Sequence, residues 1–162
     1  MMKRSLFVLL LLLFLINNSP ALAADNGIQI TDIKMAKGVD EKYMPVGPAK
    51  SFPNGTAKVF CWFEWKNAEV KNVLTVKWTY VTESIPILDQ SIPMPRKSGS
   101  GGVALAMPGE KTFPDGEYEV QLLQDKKVLK TLRFEILKKK SSDHGDSLLW
   151  DPEAWVSRVL IV

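Results

Sequence analysis

Cysteine and histidine are nearly missing from this chain: Cys61 and His144 are the only ones among its 162 residues. One thiol cannot bridge within its own chain, so an internal disulfide is excluded even in an exporting compartment. One thiol and one imidazole also fall short of the ligand set of a His/Cys zinc site. His144 lies between the lysines of 138–140 and Asp146, in a stretch with the marks of a solvated linker, whereas catalysis needs partners held around the imidazole. Charge of one sign is scarce as well. The formal charge is +3, and +1 without Lys3 and Arg4, which leaves no electrostatic case for nucleic acid. No nucleophile elbow of the Gly-x-Ser-x-Gly kind occurs; Gly99-Ser100-Gly101 has no helical pattern after it. No metal, no cofactor and no catalytic residue are expected.

Long apolar runs are scarce too. Leu6 to Ile16 is unbroken, about half of the ~20 residues that a bilayer span requires. Lys3 and Arg4 precede it, and Ala21-Leu22-Ala23 follows a polar step at Asn17 to Pro20. A basic start, a short apolar stretch and a small-x-small site are the three parts of a secretory signal. Residues 1–23 are expected to be that signal, with Ala24 or Asp25 opening the mature chain. No cysteine follows the run, so a lipid-attachment box is absent. The expected location is periplasmic or extracellular, with no membrane insertion once the signal is cleaved.

What is present from 24 to 137 is period-two alternation broken by turn chemistry. Gly27 to Ile33 alternates apolar and polar residues, as a half-buried strand does. Gly38 to Gly55 is interrupted by Pro45, Pro48 and Pro53 and is read as irregular. Thr56 to Trp65 is the strongest strand pattern, with Val59, Cys61, Phe63 and Trp65 on one face and Phe60, Trp62 and Glu64 on the other. Leu74, Val76, Trp78 and Tyr80 alternate with Thr75, Lys77 and Thr79. Ser84 to Met94 contains Pro86 and Pro93, which suit an edge strand. Pro95 to Gly102 reads as a loop, Val103 to Met107 as a strand. Tyr118, Val120 and Leu122 share a face after the Pro114-Asp115-Gly116 turn, and Leu132, Phe134 and Ile136 close the set. Seven short strands in about 110 residues suit a two-sheet sandwich, with a short barrel as the rival closure.

Cys61 in the second strand, Trp78 in the third and Tyr118 opening the sixth resemble the first cysteine, core tryptophan and corner tyrosine of an immunoglobulin domain. Val120 stands where the second cysteine would be. The span from about 52 to 136 thus resembles the disulfide-free immunoglobulin-like domains of bacterial exported proteins. Leu74 to Trp78, the Gly-Ser loop Ser98 to Gly102, Pro114 to Leu122 and Phe134 to Ile136 carry the likeness. It implies an all-β fold whose core holds Val59, Cys61, Phe63, Val76, Trp78, Tyr118, Val120 and Phe134, and a binding or assembly role over catalysis. It implies nothing about a ligand.

Two features point to a partner. With Cys61 inward, Phe60 and Trp62 must face outward on a central strand; a large exposed aromatic pair usually has a partner, unless an N-terminal segment or the tail covers it. The second feature is the tail. A polar linker over 138–147 leads to an apolar segment over 148–162 containing Trp150, Trp155, Val159 and Ile161. Asp151 before Pro152 and Glu153 is a helix start signal, so a short C-terminal helix is expected. The tail is expected to dock on its own sandwich, on another subunit's sheet edge or, least readily, on a membrane. The function expected is a non-catalytic module that contacts a protein partner or envelope component by a sheet face or edge and the tail. The alternative is carbohydrate binding by the outward aromatics. Glu117 and Glu119 share a wet strand face, where charge pairs are routine. The acids at Asp143 and Asp146, or at Asp40 and Glu41, lack a full calcium ligand set.

Overall fold

In the computed structural model, residues 27–139 and 156–161 are described. They form ten strands: β1 (Gln29–Val39), β2 (Pro45–Pro48), β3 (Ser51–Phe52), β4 (Lys58–Lys66), β5 (Val73–Tyr80), β6 (Ile85–Pro93), β7 (Gly99–Ala106), β8 (Gly116–Gln124), β9 (Lys127–Ile136) and β10 (Val156–Ile161). One sheet runs β10-β7-β4-β1-β2 and the other β3-β9-β8-β5-β6. Every pairing is antiparallel except β3 with β9. The orders β1-β4-β7 and β5-β8-β9 are the A-B-E and C-F-G orders of an immunoglobulin sandwich.

Alternation in the sequence becomes two layers. Val59, Cys61, Phe63 and Trp65 of β4 and Val103 and Leu105 of β7 meet Leu74, Val76, Trp78 and Tyr80 of β5. Tyr118, Val120 and Leu122 of β8 and Phe134 and Ile136 of β9 complete this core. All of these are at most 3% exposed. Full burial of each large side chain is worth roughly 1.5–3 kcal/mol. Trp78 meets Phe134 edge-on at 6.3 Å, and Phe134 stacks on Tyr118 at 5.1 Å. The eight core positions expected from the sequence are all buried.

Three local expectations are corrected. The first strand does not end at Ile33 but continues to Val39. A register shift between Ile30 and Asp32 inserts an extra residue, so the buried phase moves from Ile28 and Ile30 to Met35. The stretch read as irregular therefore contains the end of β1 and the short edges β2 and β3. The Gly-Ser stretch is not wholly a loop, because β7 begins at Gly99, opposite Trp65. Glycine is required there by proximity: a Cβ on Gly102 would lie 2.9 Å from the Cys61 carbonyl oxygen, the close backbone approach that glycine in a strand often marks. Finally, residues 156–161 of the expected helical tail form a strand. Their run from Val156 to Ile161 is rich in β-branched residues, which suit a pleated edge.

Candidate functional site

The β7 edge is covered by the C-terminal strand β10. The two residues nearest the ends of this ladder pair as Val156 with Ala106 and Ile161 with Gly101, and Val159 is opposite Val103. On the other side of β7, the same residues pair with β4: Ala106 with Lys58, Val103 with Cys61 and Gly101 with Phe63. Val159 and Ile161 thus hold register positions in line with the core rows, and Arg158 and Leu160 those in line with Phe60 and Trp62. In an immunoglobulin domain of constant type, the neighbour outside the equivalent of β7 is strand D. Here β6 passes to β7 through residues 94–98 alone, and β10 stands in that place. The missing strand is the signal that sequence reading could have used: between Trp78 and Val103 the chain has turn chemistry for one strand, not two.

Phe60 and Trp62 face away from the main core, as expected, but they are not an exposed patch. They are 5% and 1% exposed. Phe60 shares a small outer cluster with Ala36, Ala104 and Val39, flanked in register by Ala36 on β1 and Ala104 on β7. The Lys58 ammonium lies 4.7 Å from the Phe60 ring centre and the Lys34 ammonium 5.3 Å from that of Trp62. The Trp62 indole donates to the Tyr43 carbonyl at 2.8 Å, which ties the β1–β2 connection across the sheet. Small neighbours, lysine stems and a satisfied indole are how this face absorbs two aromatics.

Cys61 is fully buried, and desolvation pushes its thiol well above the ordinary range, so the thiolate that reactivity requires is suppressed. Glu119 pairs with Arg133 at 2.8 Å and accepts from Gln121 at 2.9 Å; Lys77 lies opposite Gln121 and Asp89. Hydrogen bonding to Glu119 raises the Arg133 guanidinium further. Glu117 faces Glu135 across the β8–β9 ladder, beside a shallow open depression lined also by Lys50, Ser51 and Arg133. Among the described residues no group of three or more His, Cys, Asp or Glu could hold a metal, and no helix is long and apolar enough to cross a membrane. His144, Trp150, Trp155, the expected signal over 1–23 and the acids Asp143 and Asp146 lie outside the described residues.

No protein-family model matches the chain. No curated protein matches it either. Among solved structures, the chain is similar to an immunoglobulin-like protein (PA1606) from Pseudomonas aeruginosa, with 11% identity and a TM-score of 0.49, over 68% of this chain and 96% of that one.

Proposed function

We propose that this chain is an exported, immunoglobulin-like and non-catalytic assembly module that engages a protein partner by strand addition at the β7 edge. The observation that carries this reading is the β10–β7 ladder, in which a C-terminal segment occupies the place of strand D. An edge covered only by a segment remote in sequence presents a row of unpaired backbone donors and acceptors once that segment leaves it. Strand addition satisfies them and lets alternate side chains supply specificity. The segment is separated from β9 by residues 137–155, so the strand that covers the edge is remote in sequence from the sandwich that needs it. Export rests on the basic, apolar and small-x-small succession of residues 1–23. Burial of Phe60 and Trp62 gives the glycan-stacking alternative no open platform at those two rings.

The test is truncation after residue 139, with a synthetic peptide of residues 155–162 returned in trans. The truncated chain should melt lower and self-associate, and the peptide should bind it and reverse both changes. A truncated chain that keeps its melting temperature, stays monomeric and ignores the peptide would sink the proposal.

A further inference from the structure

One end of the sandwich gathers cations. Lys66 ends β4 opposite Gln29, and Lys71 lies on the turn that leads into β5. Arg96 and Lys97 lie between β6 and β7, while Lys126 lies on the β8–β9 turn and Lys127 opens β9. All six are exposed, and the carboxylates on the same loops are Glu69 and Asp125. No acid pairs with Lys66, Lys71, Arg96, Lys97 or Lys126 among the described residues. Beyond the pole, Asp32 and Glu64 lie further into the sheet, and Asp32 is already paired with Lys34.

These loops are fastened to one another. The Ala68 amide donates to the Lys97 carbonyl at 2.9 Å and that of Met94 to the Asn72 carbonyl at 3.0 Å. The Trp65 indole donates to the Arg96 carbonyl at 3.1 Å. Across the two sheets, the Ile28 amide donates to the Gln124 side chain at 2.7 Å. The pole also carries Val70, Val73 and Val128, exposed by 74%, 42% and 47%. Apolar side chains set among cations on a fixed surface match the boundary between headgroups and acyl chains. A soluble polyanion would use the charges but not the valines. The chain enters β1 at this same pole.

We infer that this pole docks on an anionic lipid surface, with the lysines over the headgroups and Val70 at the deepest point. It acts independently of the β7 edge, which lies along the side of the sandwich, so the two surfaces can be engaged together.

The experiment is sedimentation of the full chain, and of the form recovered after export, with phosphatidylcholine vesicles containing or lacking phosphatidylglycerol. The apolar run of the full chain partitions into both vesicle types, so the ratio between them reads the pole. Binding should be more than about a hundredfold tighter with the anionic lipid and fall with salt. Each near-surface cation is worth about fivefold. The triple change Lys71→Glu, Lys97→Glu and Lys126→Glu should therefore cost more than about a hundredfold, and Lys111→Glu on the opposite pole should change nothing. Should the triple variant fail to fold, Lys97→Glu or Lys126→Glu alone should each cost roughly fivefold. Val70→Ser should weaken binding to vesicles and leave inorganic polyphosphate binding unchanged. Equal binding to both vesicle types, or charge variants that bind as the natural chain does, would overturn the inference. Polyphosphate binding as tight as vesicle binding, with Val70→Ser silent in both, would also overturn it, by making the pole a soluble-polyanion site.

Discussion

Tyr118 donates its hydroxyl to the carbonyl of Pro114 at 2.7 Å, four residues back along the chain. The neighbouring carbonyl, that of Asp115, accepts from Tyr80 at 2.7 Å. Two tyrosines with ring centres 4.8 Å apart therefore hold successive carbonyls of the turn that starts β8. Gly116 follows with φ of +136°, and a Cβ there would fall 2.4 Å from Thr82 Oγ1. The turn is thus determined by the corner and by a position that only glycine fills without strain.

Tyr118→Phe keeps the ring and removes one donor. Leaving a buried acceptor without its partner costs about 1–3 kcal/mol, so urea unfolding should show a loss in that range. Its m-value should not change, because the fold is retained. A loss near zero would mean that the corner hydrogen bond does nothing for stability.

Trp78 offers a sharper contrast. Its ring is fully buried against Phe134, yet its indole nitrogen has no hydrogen-bond partner among the described residues. Trp78→Ala should cost ~3–5 kcal/mol as an aromatic truncation. Trp78→Phe removes the orphaned donor along with part of the ring, and the first change offsets the second. Its cost should stay below about 2 kcal/mol, measured by chemical denaturation. Equal costs for the two variants would show that ring volume alone governs the site.

The alternating segments were the legible part. Period two in β4, β5, β8 and β9 assigns faces without tertiary information, and the core from Val59 to Phe134 followed from it. The immunoglobulin-type corner was legible because Tyr118 sits two residues after a glycine that no other residue replaces easily. The β1 bulge was not legible, since a spacing of three between Ile30 and Ile33 also fits a strand end. What covers Phe60 and Trp62 was not legible for another reason: it depends on Ala36, Ala104 and the remote Tyr43 carbonyl. The tail was misread because Asp151-Pro152 is a true helix start signal locally, whereas an open β7 edge is a property of the whole sheet.

Gly102 tests the close approach of β4 and β7. The nearest obstacle to a Cβ is backbone, the Cys61 carbonyl oxygen, with the Trp62 Cα at 3.4 Å. Backbone in a central sheet cannot turn aside as a flexible side chain can. Gly102→Ala should therefore destabilise by ~1–3 kcal/mol through overpacking, against the usual gain from reducing unfolded-chain entropy. Gly38→Ala serves as the control, because open space surrounds that position. A stable Gly102→Ala variant would contradict the close approach of β7 to the Cys61 backbone.

Alkaline pH should act first through Cys61. Desolvation by burial raises its thiol, and burial likewise raises the Tyr118 hydroxyl. For both groups the neutral form is favoured in the folded state. The associated stability is fully present below each group's unfolded value, about 8.5 for cysteine and about 10 for tyrosine. It is lost as pH rises above those values, because the unfolded chain releases the proton while the folded chain retains it. Stability should thus begin to fall near pH 8.5 at up to about 1.4 kcal/mol per pH unit, and more steeply past pH 10. Cys61→Ala lowers stability overall but removes the first segment of that slope, so its profile should stay flat until tyrosine ionises. The check is guanidinium unfolding at intervals from pH 7 to 10.5 for both proteins, with thiol labelling in parallel. Native Cys61 should label only as fast as the chain unfolds. Rapid labelling at pH 8 without unfolding, or parallel profiles for the two proteins, would place the thiol at the surface and not between the sheets.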